Sequence, residues 1–277
     1  MTQRIFALRV RRTAVRFLQL MRLHKFAFAA FLVPLSIRII PEILSGPYPV
    51  GWDIVAYYIP NAIDIASGRM NVWGMITSPP VMYAIVVPVY WLTRANLVLI
   101  FKALGPILYG LLGWSIFWFC KRRLHWSSRK ALYAVLFVSA YFVTLRISWD
   151  AYQAELGLAF FLLAESASLR SPARSALGRV SLLSLAVLSN QLVGVLVVGT
   201  QLATLVVPSI RKSTKLIPLQ FSPIVLFLMI LYATMQTTLA PGLSILGPGA
   251  NLSILTTNLA FLFYAYIFLI PLLLFGI

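Results

Sequence analysis

The chain has 277 residues, of which 61% are hydrophobic and only 10% are charged. This composition excludes a water-soluble domain, and the length leaves room for one membrane domain over residues 1–277 without a second, soluble one. The net charge of +17 would suggest nucleic acid as the partner of a soluble protein. Here the basic residues gather in short loops, as they do in the cytoplasmic loops of membrane proteins, so no nucleic-acid partner is expected.

The first 25 residues form a basic, half-apolar segment. Arg9, Arg12 and Arg16 recur at helical spacing, with apolar residues between them. This pattern predicts an amphipathic helix that lies on the anionic cytoplasmic leaflet of a lipid bilayer. A signal peptide is the alternative, but no small-residue cleavage site follows the apolar run, which favours an uncleaved anchor.

Long apolar runs follow this segment and predict membrane-spanning helices. The runs are Phe26–Leu44, Leu97–Cys120, Ala131–Ile147, Ala151–Leu169, Val180–Val207, Leu216–Met235 and Ile254–Ile277. Val180–Val207 is longer than one span needs, which predicts two helices that turn at the polar patch Ser189-Asn190-Gln191. The run Pro79–Leu92 is too short to cross and predicts a helix in the outer membrane interface.

The basic residues predict the topology. Seven lie in the N-terminal segment, and five, three and three lie in the loops Lys121–Lys130, Arg170–Arg179 and Ser209–Lys215. If all four segments face the cytoplasm, the spans between them come in even numbers and total about eight. The prediction is an all-α polytopic protein of the cell membrane (of the endoplasmic reticulum in a eukaryote) with its N-terminus in the cytoplasm. Five of the six acidic residues then lie at or near the outer surface, where we expect the chemistry.

Residues 46–96 are predicted to form a structured outer loop with interfacial helices, because the stretch is dense in aromatic side chains that favour membrane–water boundaries. Its distinctive positions are Asp53 followed by Tyr57 and Tyr58, then Gly68, and a short helix with Pro79, Pro80, Tyr83 and Pro88. With a weaker match at the turn Trp149–Gln153, this arrangement resembles the GT-C superfamily of integral membrane glycosyltransferases. The nearest likeness is to its mannosyltransferase-like and arabinofuranosyltransferase-like bacterial and archaeal branches.

The resemblance implies a GT-C-like helical bundle and a specific chemistry. The enzyme would transfer a sugar from a polyprenyl-phosphate-linked donor to a hydroxyl of a glycolipid or glycan acceptor at the outer face. The family places the catalytic carboxylate early in the first outer loop, at Asp53, which would deprotonate or orient the attacking hydroxyl. The alternative for Asp53 is that it caps the helix that follows. Asp64 is equally consistent with a site residue and with a solvated surface residue.

A lipid phosphate needs cationic partners, for which Arg has suitable bidentate geometry. The candidates are basic residues outside the cytoplasmic clusters, and they are Lys102, Arg146, Arg94 and Arg38. Aromatic, amide and carboxylate side chains would hold the sugar and the acceptor, and the nearest of these are Trp52, Tyr57, Tyr58, Asn61 and Asp150. For Asp150 the alternative is a structural ion pair with Arg146, four residues earlier.

No metal or cofactor is predicted. Cys120 is the single cysteine and the two histidines are far apart, so no Cys/His metal constellation exists, although Asp150 or Glu155 beside Asp53 would permit a divalent ion. Two other functions stay open. A transporter or lipid flippase is disfavoured because no internal repeat or pair of broken helices is evident. A non-catalytic assembly subunit, working with a partner subunit, remains the other alternative.

Overall fold

The computed structural model describes residues 24–71, 74–75, 78, 80–167, 172–206 and 222–238. Every regular element in this part of the chain is a helix, which confirms the all-α expectation. The chain divides into two units, Met1–Ile230 and Leu231–Ile277, and residues 231–238 are the described part of the second. The predicted N-terminal amphipathic helix, the basic loop Ser209–Lys215 and the last predicted span lie outside the described residues.

The helices follow one another along the chain with short connections. They are α1 (Lys25–Leu44), α2 (Ile54–Ala66, beginning with a π-helical turn over Ile54–Tyr58), α3 (Pro80–Thr93), α4 (Leu97–Arg122), α5 (Ser128–Ala140), α6 (Phe142–Ser148), α7 (Tyr152–Ser166), α8 (Pro172–Ser189), α9 (Gln191–Val206) and α10 (Ser222–Thr238). Within the described residues, α1 and α4 are the two helices long and apolar enough to cross a membrane.

The helices confirm several predicted boundaries. The run Val180–Val207 is divided at Asn190, as predicted, between α8 and α9. The predicted basic loop Arg170–Arg179 was wrong over most of its length, because α8 already begins at Pro172. The Asn190 side chain accepts hydrogen bonds from the backbone of Leu192 and Val193, as an N-cap does. The short proline-bounded helix α3 also forms, but it buries one face that includes Tyr83 in the protein core, so it does more than lie at an interface.

The prediction that Ala131–Ile147 forms one continuous helix was wrong. The run Ala131–Ile147 is divided into α5 and α6, with Tyr141 in an extended conformation between them. The hydroxyl of Tyr109, from α4, donates to the backbone carbonyl of Ser139 at 2.9 Å. Carbonyl groups in the last turn of a helix lack an intrahelical partner, so this contact satisfies one of them where α5 ends.

Helix α4 is the central element, because its glycines let neighbouring helices approach closely. A Cβ at Gly113 would lie 2.5 Å from the carbonyl oxygen of Ala30 in α1, and a Cβ at Gly105 would lie 2.2 Å from the Tyr152 hydroxyl in α7. Small residues at such contacts are how helices associate tightly in lipid, where water provides no driving force. As a result α1 and α7 are both held against α4.

This arrangement has two ends that differ in their charged residues. The acidic end comprises residues 42–53 and 149–155, where the end of α1, the loop before α2 and the start of α7 meet. The basic end comprises residues 24–26 and 117–131, where the start of α1, the end of α4 and the start of α5 pack through a cluster that includes Ala27, Phe117 and Ala131.

Candidate functional site

Asp53 and Asp150 are 97 residues apart in sequence but meet at the acidic end. The backbone N–H of Asp53 donates to Asp150 Oδ1 at 3.4 Å. The hydroxyl of Tyr58 donates to the backbone carbonyl oxygen of Asp150 at 3.0 Å. The structure therefore brings together three of the predicted site residues, and the contacts hold the start of α2 against the turn before α7.

Gly51 makes this approach possible. Its φ of +122° lies in a region that other residues rarely adopt, and a Cβ there would lie 2.0 Å from the carbonyl oxygen of Trp149. Any side chain would push the loop away from the turn 149–150. Gly51 is therefore required by backbone contact as well as by its backbone conformation.

Replacing Gly51 with Ala is expected to lower the free energy of unfolding by about 3 kcal/mol or more, because the change combines a strained φ with a steric clash. Gly46→Ala is the matched control: Gly46 has a φ of +71° but open space around the Cβ position, so about 1 kcal/mol is expected. Thermal unfolding of both variants in mild detergent measures the difference. Equal destabilisation of the two variants would contradict the close contact.

The Asp53 carboxyl is partly buried at the start of the π-helical turn. It does precede a helix, as the capping interpretation requires, but its side chain makes no capping hydrogen bond. Burial first, and the negative charge of Asp150 second, raise the pKa of Asp53 above its ordinary value. A carboxylate with a raised pKa is a better proton acceptor than an ordinary one, which suits a general base.

The aromatic residues next to Asp53 in the sequence lie in two different settings. Tyr58 packs against Phe101 and Tyr152, with ring centroids 6.3 Å and 6.2 Å away. Burial first, and the charge of Asp53 second, raise the pKa of Tyr58, so its hydroxyl stays a donor to Asp150. Trp52 and Tyr57, in contrast, are 76% and 59% exposed. Tyr58 thus positions the loop, while the other two rings are free to contact a ligand.

Arg146 is the predicted cation that lies beside Asp150. Its Nη1 is 2.6 Å from Asp150 Oδ2, and its guanidinium lies 5.2 Å from the ring centroid of Trp149. The ion pair considered as an alternative from the sequence is therefore present. The Arg146 side chain is nevertheless 48% exposed, so it has surface left for a second anionic partner.

The other predicted cations lie in different settings. Lys102 Nζ donates to the backbone carbonyls of Gly46 and Tyr48, which places a cation after the C-terminus of α1, a favourable position for positive charge. Arg94 is exposed after α3 and has no ion-pair partner among the described residues. Asn61, predicted to bind the acceptor, instead donates to Ser78 Oγ and the Tyr83 hydroxyl, both at 3.3 Å. It therefore joins α2 to Ser78 and to α3.

Arg38 belongs to a buried network that sequence reasoning missed. It is fully buried, and its Nη1 lies 2.7 Å from Glu42 Oε1, an ion-pair distance, although the angles of a hydrogen bond are not met at that nitrogen. Glu42 Oε2 accepts from the backbone N–H of Val50 at 3.0 Å. The Tyr152 hydroxyl accepts from Arg38 Nη2 and donates to Glu42 Oε1, both at 3.4 Å. An Arg–Glu pair at i,i+4 inside an apolar run was the signal available in the sequence.

The remaining acidic residues do not add to the site. Asp64 Oδ1 lies 2.8 Å from Arg69 Nη2, and both side chains are exposed. This agrees with the interpretation of Asp64 as a solvated surface residue. Glu165 pairs with Arg179 at 2.7 Å. The Glu155 carboxyl is buried without a hydrogen-bond partner in the described part of the chain. Among the same residues, no group of three His, Cys, Asp or Glu side chains is arranged to hold a metal ion.

No protein-family model, curated protein or solved structure matches this chain.

Proposed function

We propose that the protein is a membrane glycosyltransferase with Asp53 as its general base. It moves a sugar from a polyprenyl-phosphate-linked donor to a hydroxyl of a glycolipid or glycan acceptor. The observation that carries the proposal is the setting of Asp53: a partly buried carboxyl with a raised pKa, held beside Asp150 and its cationic partner Arg146. The resemblance of Asp53, Tyr57 and Tyr58 to the GT-C pattern supports the same assignment.

Each residue has a role in the proposed reaction. Asp53 accepts the proton of the acceptor hydroxyl as its oxygen attacks the anomeric carbon, which inverts that centre. The bond from that carbon to the phosphate oxygen breaks, and the leaving polyprenyl phosphate keeps the electron pair. Arg146 stabilises the negative charge that develops there. The exposed rings of Trp52 and Tyr57 offer apolar faces to the sugar or the acceptor.

The proposal includes the topology. The chain crosses the membrane eight times, with both termini and the basic loops in the cytoplasm. The loop 46–96 and the turn 149–150 then lie together at the outer face, where the lipid donor's headgroup is presented. Helices α1 and α4 support this arrangement, since both are long and apolar enough to cross, and both run between the basic end and the acidic end.

The test is sugar transfer by the purified chain in lipid nanodiscs. Labelled polyprenyl-phosphate mannose and arabinofuranose are supplied as donors, with a glycolipid extract as acceptor. We expect one donor to give labelled product together with free polyprenyl phosphate. Donor binding without any transfer would favour the assembly subunit, and movement of intact donor between leaflets would favour the flippase.

The pH dependence of transfer is predicted to depend on Asp150. A general base works only when unprotonated, so the rate rises as pH increases through the pKa of Asp53, which is raised. Asp150→Asn removes the negative charge that helps to raise the pKa of Asp53. It also leaves the positive charge of Arg146 without its carboxylate partner, and both effects lower the pKa of Asp53. The acidic limb of the pH–rate profile should therefore move to lower pH in Asp150→Asn. It should stay in place in Asp64→Asn, and an unmoved limb in Asp150→Asn would contradict the assignment.

A further inference from the structure

The basic end carries positive charge that no carboxylate side chain neutralises. Six exposed cationic side chains lie there, and they are Lys25, Lys121, Arg122, Arg123, Arg129 and Lys130. The whole sequence contains six acidic residues, all within the described part of the chain. Four of them pair with Arg38, Arg69, Arg146 and Arg179. The other two, Asp53 and Glu155, lie at the acidic end. These six exposed cations are therefore open to an anionic ligand.

The fold gathers these cations in one place. The ends of three helices meet through the packing of Ala27, Phe117 and Ala131. The His24 ring, at the start of α1, lies 6.3 Å from the ring of Trp118 near the end of α4. Only five residues, 123–127, connect α4 to α5. Cations from three sequence segments therefore face one surface.

Aromatic rings lie directly beneath some of these cations. The Arg122 guanidinium is 4.3 Å from the ring centroid of Trp118, and Lys121 Nζ is 5.5 Å from the same ring and 5.9 Å from that of Phe117. Rings of this kind favour the boundary between hydrocarbon and water, and a cation above the ring then lies at the depth of lipid phosphates. The arrangement combines an apolar base with charged groups that face outward.

We propose that the basic end binds the headgroup phosphate of an anionic phospholipid. Helices α1 and α4 have the length and apolar character of membrane spans, so their ends at this surface coincide with the headgroup layer. The starts of α1 and α5 add the positive ends of two helix dipoles. A soluble nucleic acid would match the charge, but it would not use the apolar base that the rings provide.

The experiment uses the full chain, purified in neutral detergent and stripped of lipid. Phosphatidylglycerol or phosphatidylcholine is added at equal amounts, and the melting temperature and the number of bound lipids by native mass spectrometry are recorded. Phosphatidylglycerol should bind more tightly and stabilise more, and its advantage should shrink from about 0.1 M to about 0.5 M salt as screening increases. Glycerol phosphate and a short RNA are added as soluble phosphate competitors.

A graded set of variants locates the site. Arg122→Gln should weaken phosphatidylglycerol binding several-fold, and Lys121→Gln with Arg122→Gln should weaken it by roughly 10- to 30-fold. The matched control is Arg69→Gln, which also removes one exposed cation, but from the loop after α2, and should bind as the wild type does. Because all three side chains are exposed, the variants are expected to fold.

Four results would overturn the proposal. The first three are equal binding of the two phospholipids, unchanged binding by the double variant, and an equal loss in Arg69→Gln. The fourth is displacement of the lipid by short RNA, which would assign the basic end to nucleic acid. The readout is lipid binding and not sugar transfer, so failure of the proposed enzymatic function leaves this inference standing, and the reverse also holds.

Discussion

Replacing Asp53 with Asn is expected to lower the rate of sugar transfer by about 10²–10⁴-fold, with donor binding and folding nearly unchanged. Asn preserves the shape of the side chain but does not accept the acceptor's proton. The contact between Asp53 and Asp150 uses the backbone N–H of Asp53, which the substitution keeps. The donor phosphate is proposed to contact Arg146, so its binding does not depend on the Asp53 carboxylate. Transfer and donor binding are measured separately in nanodiscs.

Asp64→Asn is the control for this experiment. Asp64 is also an aspartate of the same loop, but it forms an exposed ion pair with Arg69, and such pairs contribute little. Its loss should change the rate by less than about threefold. If Asp53 acted only as a helix cap, Asn would replace it without loss, since both residues are good caps. A fully active Asp53→Asn enzyme would remove Asp53 from the catalytic role.

Arg38→Met is expected to lower the free energy of unfolding by about 3–5 kcal/mol. The guanidinium is fully buried, and its removal leaves Glu42, itself 3% exposed, as a buried charge without its cation. Glu42 also accepts a hydrogen bond from the backbone N–H of Val50. The loop that leads to Asp53 should therefore become more mobile when the position of Glu42 is disturbed. Thermal and chemical unfolding in mild detergent measure the loss.

A second variant separates the ion pair from simple packing. Arg38→Met combined with Glu42→Gln removes both charges, while the Gln oxygen still accepts from Val50. The double variant should recover much of the stability lost in the single variant, because removing both partners of a buried pair costs less than removing one. Arg69→Gln, which breaks an exposed pair, should stay within about 0.5 kcal/mol of wild type. A double variant no more stable than Arg38→Met would assign the effect to packing.

Helix positions were predictable where the signal was local. The length of Val180–Val207 and its polar patch were enough to predict the break at Asn190, whose own side chain caps the next helix. Proline positions and run length likewise indicated α3 to within one residue at each end. The break at Tyr141 was not predictable, because the Tyr109 hydroxyl that satisfies Ser139 comes from another helix.

In the candidate site, too, contacts between residues close in sequence were predictable and contacts between distant residues were not. The pair Arg146–Asp150 is spaced i,i+4 and was foreseeable from that spacing. The contact between Asp53 and Asp150 depends on tertiary structure, and the unusual backbone of Gly51 that permits it has no clear sequence signature. The sequence likewise does not distinguish among Lys102, Arg38 and Arg146, which are all basic residues outside the cytoplasmic clusters. In the fold, Lys102 donates to backbone carbonyls after α1, Arg38 is in a buried ion pair, and Arg146 is in a partly exposed one.

The π-helical turn over Ile54–Tyr58 has a consequence for how sequence length is tolerated in this loop. Such a turn holds one more residue than an α-helical turn, and π-helical turns are frequent at functional sites. Deleting a single residue there would convert it to an ordinary α-helical turn. Asp53 and Tyr58 would then keep nearly the same angular relation, because the longer π-helical turn and the shorter α-helical turn each complete one revolution of the helix. Tyr58 would keep its hydrogen bond to Asp150, and Asp53 would stay beside the same residue. Homologous chains with this chemistry are therefore expected to tolerate the loss of one residue between these two positions.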